Sequence, residues 1–125
     1  NNLKKFYKKK VIIIDRFTDS TLAYQHYGLG VNLKLINQIN NYILKNFKVN
    51  FTFLNVVNKI NMKNRLKKRK VLNRYDKFKS NFYSKVQKGY LKIAKKKKNY
   101  EIIDSNLSVK LNRDKIINKI NKLIK

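Results

Sequence analysis

Cysteine is absent from the 125 residues, which excludes disulfides and thiolate metal sites and fits a reducing compartment. Acids are scarce, six against 32 Lys and Arg, giving a formal net charge of +26. Histidine occurs once, at His26. With no acidic or cysteine partner at ligand spacing, a loop histidine is expected there rather than a metal site. No apolar run approaches the ~20 residues that span a bilayer. The basic stretch 1–10 lacks the apolar segment of a secretory signal. A cytoplasmic protein without a membrane partner is therefore expected. The first residue is Asn rather than Met, as expected of a piece of a longer chain.

What is present suffices for one packed domain. Apolar residues make up 42 %, including 8 Tyr and 7 Phe, so wholesale disorder is not expected. The charge taken alone points to nucleic acid. Yet Lys is spread from end to end in a sequence dominated by Asn, Ile and Lys, and compositional drift explains that at least as well. Against this background the five Arg are informative: Arg16, Arg65, Arg69, Arg74 and Arg113. Arg offers a planar fork that grips phosphate bidentately, which Lys cannot.

The run Val11-Ile12-Ile13-Ile14 followed by Asp15-Arg16 organises the rest. Four unbroken apolar residues, three of them Ile, read as a strand buried on both faces of a parallel sheet. Ligands bind beyond the carboxyl ends of such strands, where Asp15 and Arg16 fall. A phosphate-bearing ligand is one reading; a solvated turn is the other. Thr18 or Asp19 is expected to cap a short helix carrying Ser20, Thr21, Tyr24 and Gln25. The helical spacing puts Tyr24 and Gln25 on the faces of Ser20 and Thr21. Hydroxyls, a ring and an amide together suit a nucleobase; an ordinary polar helix start remains the alternative.

Residues 26–30 read as a loop. Residues 32–47 show an amphipathic helix through Leu33, Ile36, Ile39, Ile43, Leu44 and Phe47. Residues 51–56 read as a second strand and 58–70 as a basic helix capped by Asn58. The arginine-bearing segment 65–76 has little to bury and reads as a cationic flap or a solvated helix end. A long helix over 76–98 repeats Phe78, Phe82, Val86 and Tyr90, and Gly89 within it implies close packing. Residues 100–104 form a third strand ending in an acid, and 108–125 a last helix. Strands alternating with helices give an α/β protein with a parallel sheet, strands at 11–15, 51–56 and 100–104.

The segment Asp15-Arg16-Phe17-Thr18-Asp19-Ser20-Thr21-Leu22-Ala23-Tyr24-Gln25 resembles the Asp-Arg-(aromatic)…Ser-(Thr/Ser)-Leu-Ala-Tyr-Gln motif of bacterial thymidylate kinases (dTMP kinases). In the same order, 51–56 resembles that family's next strand. Arg65 to Arg69 with Leu72 to Asp76 resembles its lid. Phe82 to Ala94, with Gly89-Tyr90-Leu91, resembles the helix after the lid, and Ile102 to Ser105 its last strand. The resemblance implies a nucleoside-monophosphate-kinase-like P-loop fold, one partial domain over 1–125 with a lid at about 65–76. It also implies transfer of the ATP γ-phosphoryl group to dTMP, with Mg²⁺.

By the same resemblance Asp15 lies near the metal and the acceptor phosphate, and Arg16 binds that phosphate. Ser20, Thr21, Tyr24 and Gln25 line the thymidine pocket. Arg65, Arg69 and Arg74 close over ATP and act in catalysis. Partners would be dTMP and ATP, with a homodimer when complete. The departures are specific. No G-x-x-x-x-G-K-[ST] occurs, and Asn55, Leu29 and Lys70-Val71 replace the usual Asp, Arg and Gly-Glu. A C-terminal portion, inactive alone, is the reading that results. The alternative is a small basic RNA-binding protein of ribosomal type. It explains the charge but not the ordered motifs, and paired stacking aromatics are lacking, so no specific nucleic-acid partner is expected.

Overall fold

The structure is a computed structural model that describes residues 2–69, 71 and 80–125. Helix α1 spans Asn2–Phe6, α2 Thr18–Thr21, a π-helix Leu22–Gly28, and α3 Leu33–Leu44. Strand β1 spans Thr52–Val56, α4 Lys59–Lys67, α5 Ser80–Lys95, β2 Tyr100–Asp104 and α6 Val109–Leu123. β1 and β2 pair in parallel, with Leu54 opposite Ile102 and Val56 opposite Asp104. The α/β architecture with a parallel sheet is therefore as read from the sequence, with two strands in place of three among the described residues.

The strand expected at 11–15 is the correction. Val11–Ile14 joins no ladder, and its side chains are 62 %, 38 %, 80 % and 47 % exposed in order. The run has the composition of a buried strand. A ladder, though, needs a second backbone to take up its N–H and C=O groups, and none among the described residues pairs with it.

The core forms where the π-helix meets α5. Ala23, Phe82, Val86 and Ile93 are buried together, with Tyr24, Tyr27 and Tyr90 packed around them. Two glycines set the approach. A Cβ at Gly89 would lie 2.6 Å from the Tyr27 side chain, and one at Gly28 2.6 Å from Phe82 and 2.9 Å from Val86. Each glycine thus receives a side chain from the opposite element, and the close packing read at Gly89 is present. The predicted loop at 26–30 starts later than expected. The helix continues through Gly28 as wide turns, with Leu29 N–H donating to Tyr24 O at 3.0 Å. Such π-turns persist where tertiary contacts compensate for weaker local bonding.

Capping follows the sequence at Asn58, and two further helices carry side-chain caps. The Asn32 side chain accepts from Lys34 N and Leu35 N, Asn58 from Asn61 N, and Ser108 from Leu111 N. It does not at α2, where Phe17 holds the cap position and no side chain caps. The Asp19 carboxylate is engaged elsewhere, as described below. α3 buries only Ile36 and Asn40. The α4 helix buries nothing and is held from outside. Asn106 Oδ1 accepts from Asn58 N at 3.1 Å and Asn61 Nδ2 at 3.0 Å. Among the described residues no helix is long and apolar enough to cross a membrane.

Candidate active site

The Ile run delivers the chain to a bend at Asp15 and Arg16. Arg16 has φ +63°, the left-handed region that disfavours any residue bearing a Cβ by about 1 kcal/mol. Non-glycine residues in that region cluster at functional sites. The turn sends the Arg16 side chain back over α2 and the π-helix, where its Cζ lies 5.1 Å from the Tyr24 ring centroid. Burial of the guanidinium opposes its charge. Tyr24, through charge and a side-chain hydrogen bond, together with Tyr90 and Asp15, outweighs that effect and raises its pKa. The guanidinium of the exposed Arg16 thus lies over the Tyr24 ring, with the exposed Asp15 beside it.

Tyr24 is itself supported. It meets Phe82 edge-on at 6.0 Å and Tyr90 at 6.4 Å. The Tyr90 hydroxyl bonds Ser20 Oγ at 2.5 Å. Burial raises the Tyr90 pKa, against the lowering effect of that bond. The structure therefore brings together Asp15, Arg16, Ser20 and Tyr24. Thr21 and Gln25 lie half-buried on the same continuous helix. The Gln25 carbonyl accepts from Val31 N at 2.8 Å.

Sequence reasoning missed the residues that hold this arrangement. Tyr90 reads as one more apolar position in the α5 stripe, and only its hydroxyl shows the second role. Asp19 takes both carboxylate oxygens to Lys97 Nζ, at 2.8 and 2.9 Å, and accepts from the Tyr100 hydroxyl. This clamp ties α2 to the end of α5 and the start of β2. Its one sequence signal is that Asp19 is among six acids. Burial, then hydrogen bonding to Asp19 and the negative charge of Asp19, raise the Tyr100 pKa far above its ordinary value of 10.0. A tyrosine whose folded pKa is raised contributes stability that is fully present below about pH 10 and declines as pH rises past the unfolded value. Tyr100→Phe should flatten the alkaline limb of a denaturation profile between about pH 9.5 and 11. An unchanged limb would exclude the clamp as its source.

Of the three arginines expected in a lid, Arg65 bonds outside this cluster. Arg65, on α4, donates from Nη2 to Ser105 O at 2.5 Å. With Asn55, Ser105, Leu107, Arg113 and Ile117 it lines a cleft of about 570 Å³ beyond the carboxyl ends of β1 and β2. That is the position where parallel sheets bind ligands. Asp104 serves the turn there, accepting from Asn106 N and Nδ2 at 2.9 and 2.6 Å. Arg69 follows α4 and is exposed. Arg74 lies outside the described residues.

The family model described as thymidylate kinase matches residues 2–116. The chain belongs to the thymidylate kinase family. Among its relatives is a thymidylate kinase of Wolbachia pipientis wMel. It is 39 % identical over 85 residues, which cover 68 % of this chain and 41 % of the relative. That of Trichodesmium erythraeum (strain IMS101) is 35 % identical over 115 residues, 91 % of this chain and 49 % of the relative. That of Aster yellows witches'-broom phytoplasma (strain AYWB) is 37 % identical over 123 residues, 94 % and 56 %. The chain thus spans about half the length of the curated relatives it matches. Arg16 beside the Tyr24 ring and Arg65 with Arg113 in the cleft at the strand ends are two separate places where guanidinium groups stand.

Among the described residues no three His, Cys, Asp or Glu gather as a metal cage. Mg²⁺ needs none: it is held by one or two carboxylates together with substrate phosphates and water. Asp15, exposed and next to Arg16, fits that donor set.

Proposed function

We propose that this chain is the acceptor-binding part of a dTMP kinase, which transfers the ATP γ-phosphoryl group to dTMP to give dTDP. The observation that carries the reading is Arg16: a guanidinium turned by a left-handed residue onto Tyr24, within the motif that also supplies Ser20, Thr21 and Gln25. Arg16 grips the dTMP phosphate with its fork, and Tyr24 packs on the nucleoside. The half-buried amide of Gln25 and hydroxyl of Thr21 offer donors and acceptors to a base edge. Ser20 acts mainly by holding Tyr90, and so the ring wall.

Phosphoryl transfer of this kind proceeds by positioning and charge stabilisation. Asp15 would hold Mg²⁺, which would supply positive charge against the charge developing on the transferred group. Arg65, Arg69 and Arg74 supply cations to the donor side, Arg65 from the cleft beside Ser105. The 125 residues contain no G-x-x-x-x-G-K-[ST], so the backbone cradle for the ATP phosphates must come from elsewhere. The chain alone binds ATP weakly and is inactive. The complete protein is a cytoplasmic homodimer with no specific nucleic-acid partner.

A coupled ATP/dTMP assay tests this on the chain alone and on the same chain extended at its N-terminus by a relative's segment carrying the phosphate loop. Turnover in the extended form only is expected. An extended chain that phosphorylates no dTMP while binding ATP would overturn the acceptor assignment.

A further inference from the structure

Arg16 is the group assigned to the dTMP phosphate, yet it lies over a ring. Its Cζ is 5.1 Å from the centroid of Tyr24, and a side-chain hydrogen bond joins the same two residues. The inner side of Tyr24 is already taken. It packs on the buried cluster of Ala23, Phe82, Val86 and Ile93, with Phe82 and Tyr90 edge-on at 6.0 and 6.4 Å. What the ring turns outward is what the exposed guanidinium covers. The nucleoside assigned to that ring and the arginine assigned to the phosphate therefore meet in one place.

Of the two partners, only the guanidinium can give way. Tyr24 is backed by Phe82 and Tyr90, and the Tyr90 hydroxyl is bonded to Ser20 Oγ at 2.5 Å. Arg16 is exposed, on a long side chain that the turn at φ +63° sends back onto the following helix. A cation over a ring at the surface is a modest contact. A neutral base that displaces it offers the guanidinium nothing in exchange. A phosphate offers it two charge-assisted bonds in the geometry of its own fork. The contact is therefore weak enough for a phosphate to break and strong enough for an uncharged ligand to feel.

We infer that Arg16 is a specificity-determining residue as well as a phosphate ligand: its guanidinium covers the Tyr24 ring against an unphosphorylated nucleoside and leaves it for a phosphate. Thymidine must push the cation aside and gains nothing for it. dTMP brings the anion that draws the fork off the ring, and so uncovers the surface its own nucleoside occupies. Phosphate and nucleoside then favour each other's binding even when no bond links them, and the coupling is reciprocal. The cover rests on the proposed function, which assigns ring and guanidinium to dTMP. It also goes beyond it, since an arginine can bind a phosphate without obstructing the ring.

The test is an NMR titration of the 125-residue chain with thymidine, inorganic phosphate and dTMP at constant ionic strength. Inorganic phosphate should tighten thymidine binding by about twofold to fivefold, the worth of a cation–π contact at an exposed site. Chloride at the same ionic strength should not. Arg16→Ala should bind thymidine more tightly than the unsubstituted chain by the same factor, lose the response to phosphate, and bind dTMP more weakly. Arg16→Gly, which suits the left-handed turn, repeats the comparison in a backbone free of a Cβ. Thymidine binding that neither phosphate nor either substitution improves would overturn the cover. If dTMP binding nonetheless weakens in both variants, the phosphate role stands and only the cover falls. If both variants bind dTMP as the unsubstituted chain does, the phosphate role falls and the cover with it. A chain that binds neither dTMP nor thymidine would reject the proposed function and this inference together.

Discussion

Arg16→Ala in the N-terminally extended chain is expected to lower kcat/KM for dTMP by about a hundredfold to a thousandfold, the range for losing one placed donor on developing charge. The KM for ATP should change little, since the proposed reading assigns the donor to Arg65, Arg69 and Arg74 and not to Arg16. Arg16→Lys should recover only a minor part, because an ammonium restores charge but not the two-pronged geometry. Phe17→Tyr should be near neutral, as either ring packs. Near-normal turnover of Arg16→Ala would reject the assigned role. A second arm separates chemistry from folding. Arg16 sits at φ +63°, so Arg16→Gly should be more stable than Arg16→Ala by about 1 kcal/mol while equally inactive. That pattern, stability gained and activity lost, is what a strained functional residue gives. Equal stability of the two variants would mean that the turn carries no strain worth relieving.

Much of this arrangement was legible because local chemistry agreed with the fold. β1 and β2 announce themselves as β-branched and aromatic runs, and Asn58 caps the helix it precedes. Arg16, Ser20 and Tyr24 meet because helical spacing alone brings the last two onto adjoining faces. What failed was everything that depends on distant sequence. Val11–Ile14 carries the pattern of a buried strand, but no local pattern can supply the second backbone. The π-helix depends on Gly28 and Gly89 admitting side chains from each other's elements, a fit that periodicity does not encode. The Asp19 clamp joins residues 78 and 81 positions apart. Tyr90 was hidden for the opposite reason: its ring satisfies the apolar stripe so well that nothing in the pattern calls for its hydroxyl.

Asn40→Asp is expected to destabilise the fold by about 3 kcal/mol at pH 7, more than any other single-atom change in α3, because it puts an uncompensated charge in a buried site. Asn40 is 7 % exposed, and its Nδ2 donates to Thr18 O at 3.1 Å. Thr18, 5 % exposed, begins α2, so this amide pins the helix that carries Ser20 and leads to Tyr24. Oδ1 of Asn40 is buried without a partner among the described residues, so no donor waits there to receive a carboxylate. At pH 7 the new oxygen would face the Thr18 carbonyl, replacing attraction with repulsion. Protonation reverses this, since a carboxylic O–H can donate to that carbonyl. Burial therefore raises the folded-state pKa of the introduced acid above the unfolded value of about 3.9. The sign follows: both states are protonated below about pH 4 and the loss is smallest. It grows as pH climbs through the unfolded pKa and levels off above the folded one. Urea denaturation of the wild type and the variant between about pH 3 and 7 measures it. A loss that does not vary with pH would show that the side chain escapes to solvent, and that Thr18 is not held by this amide.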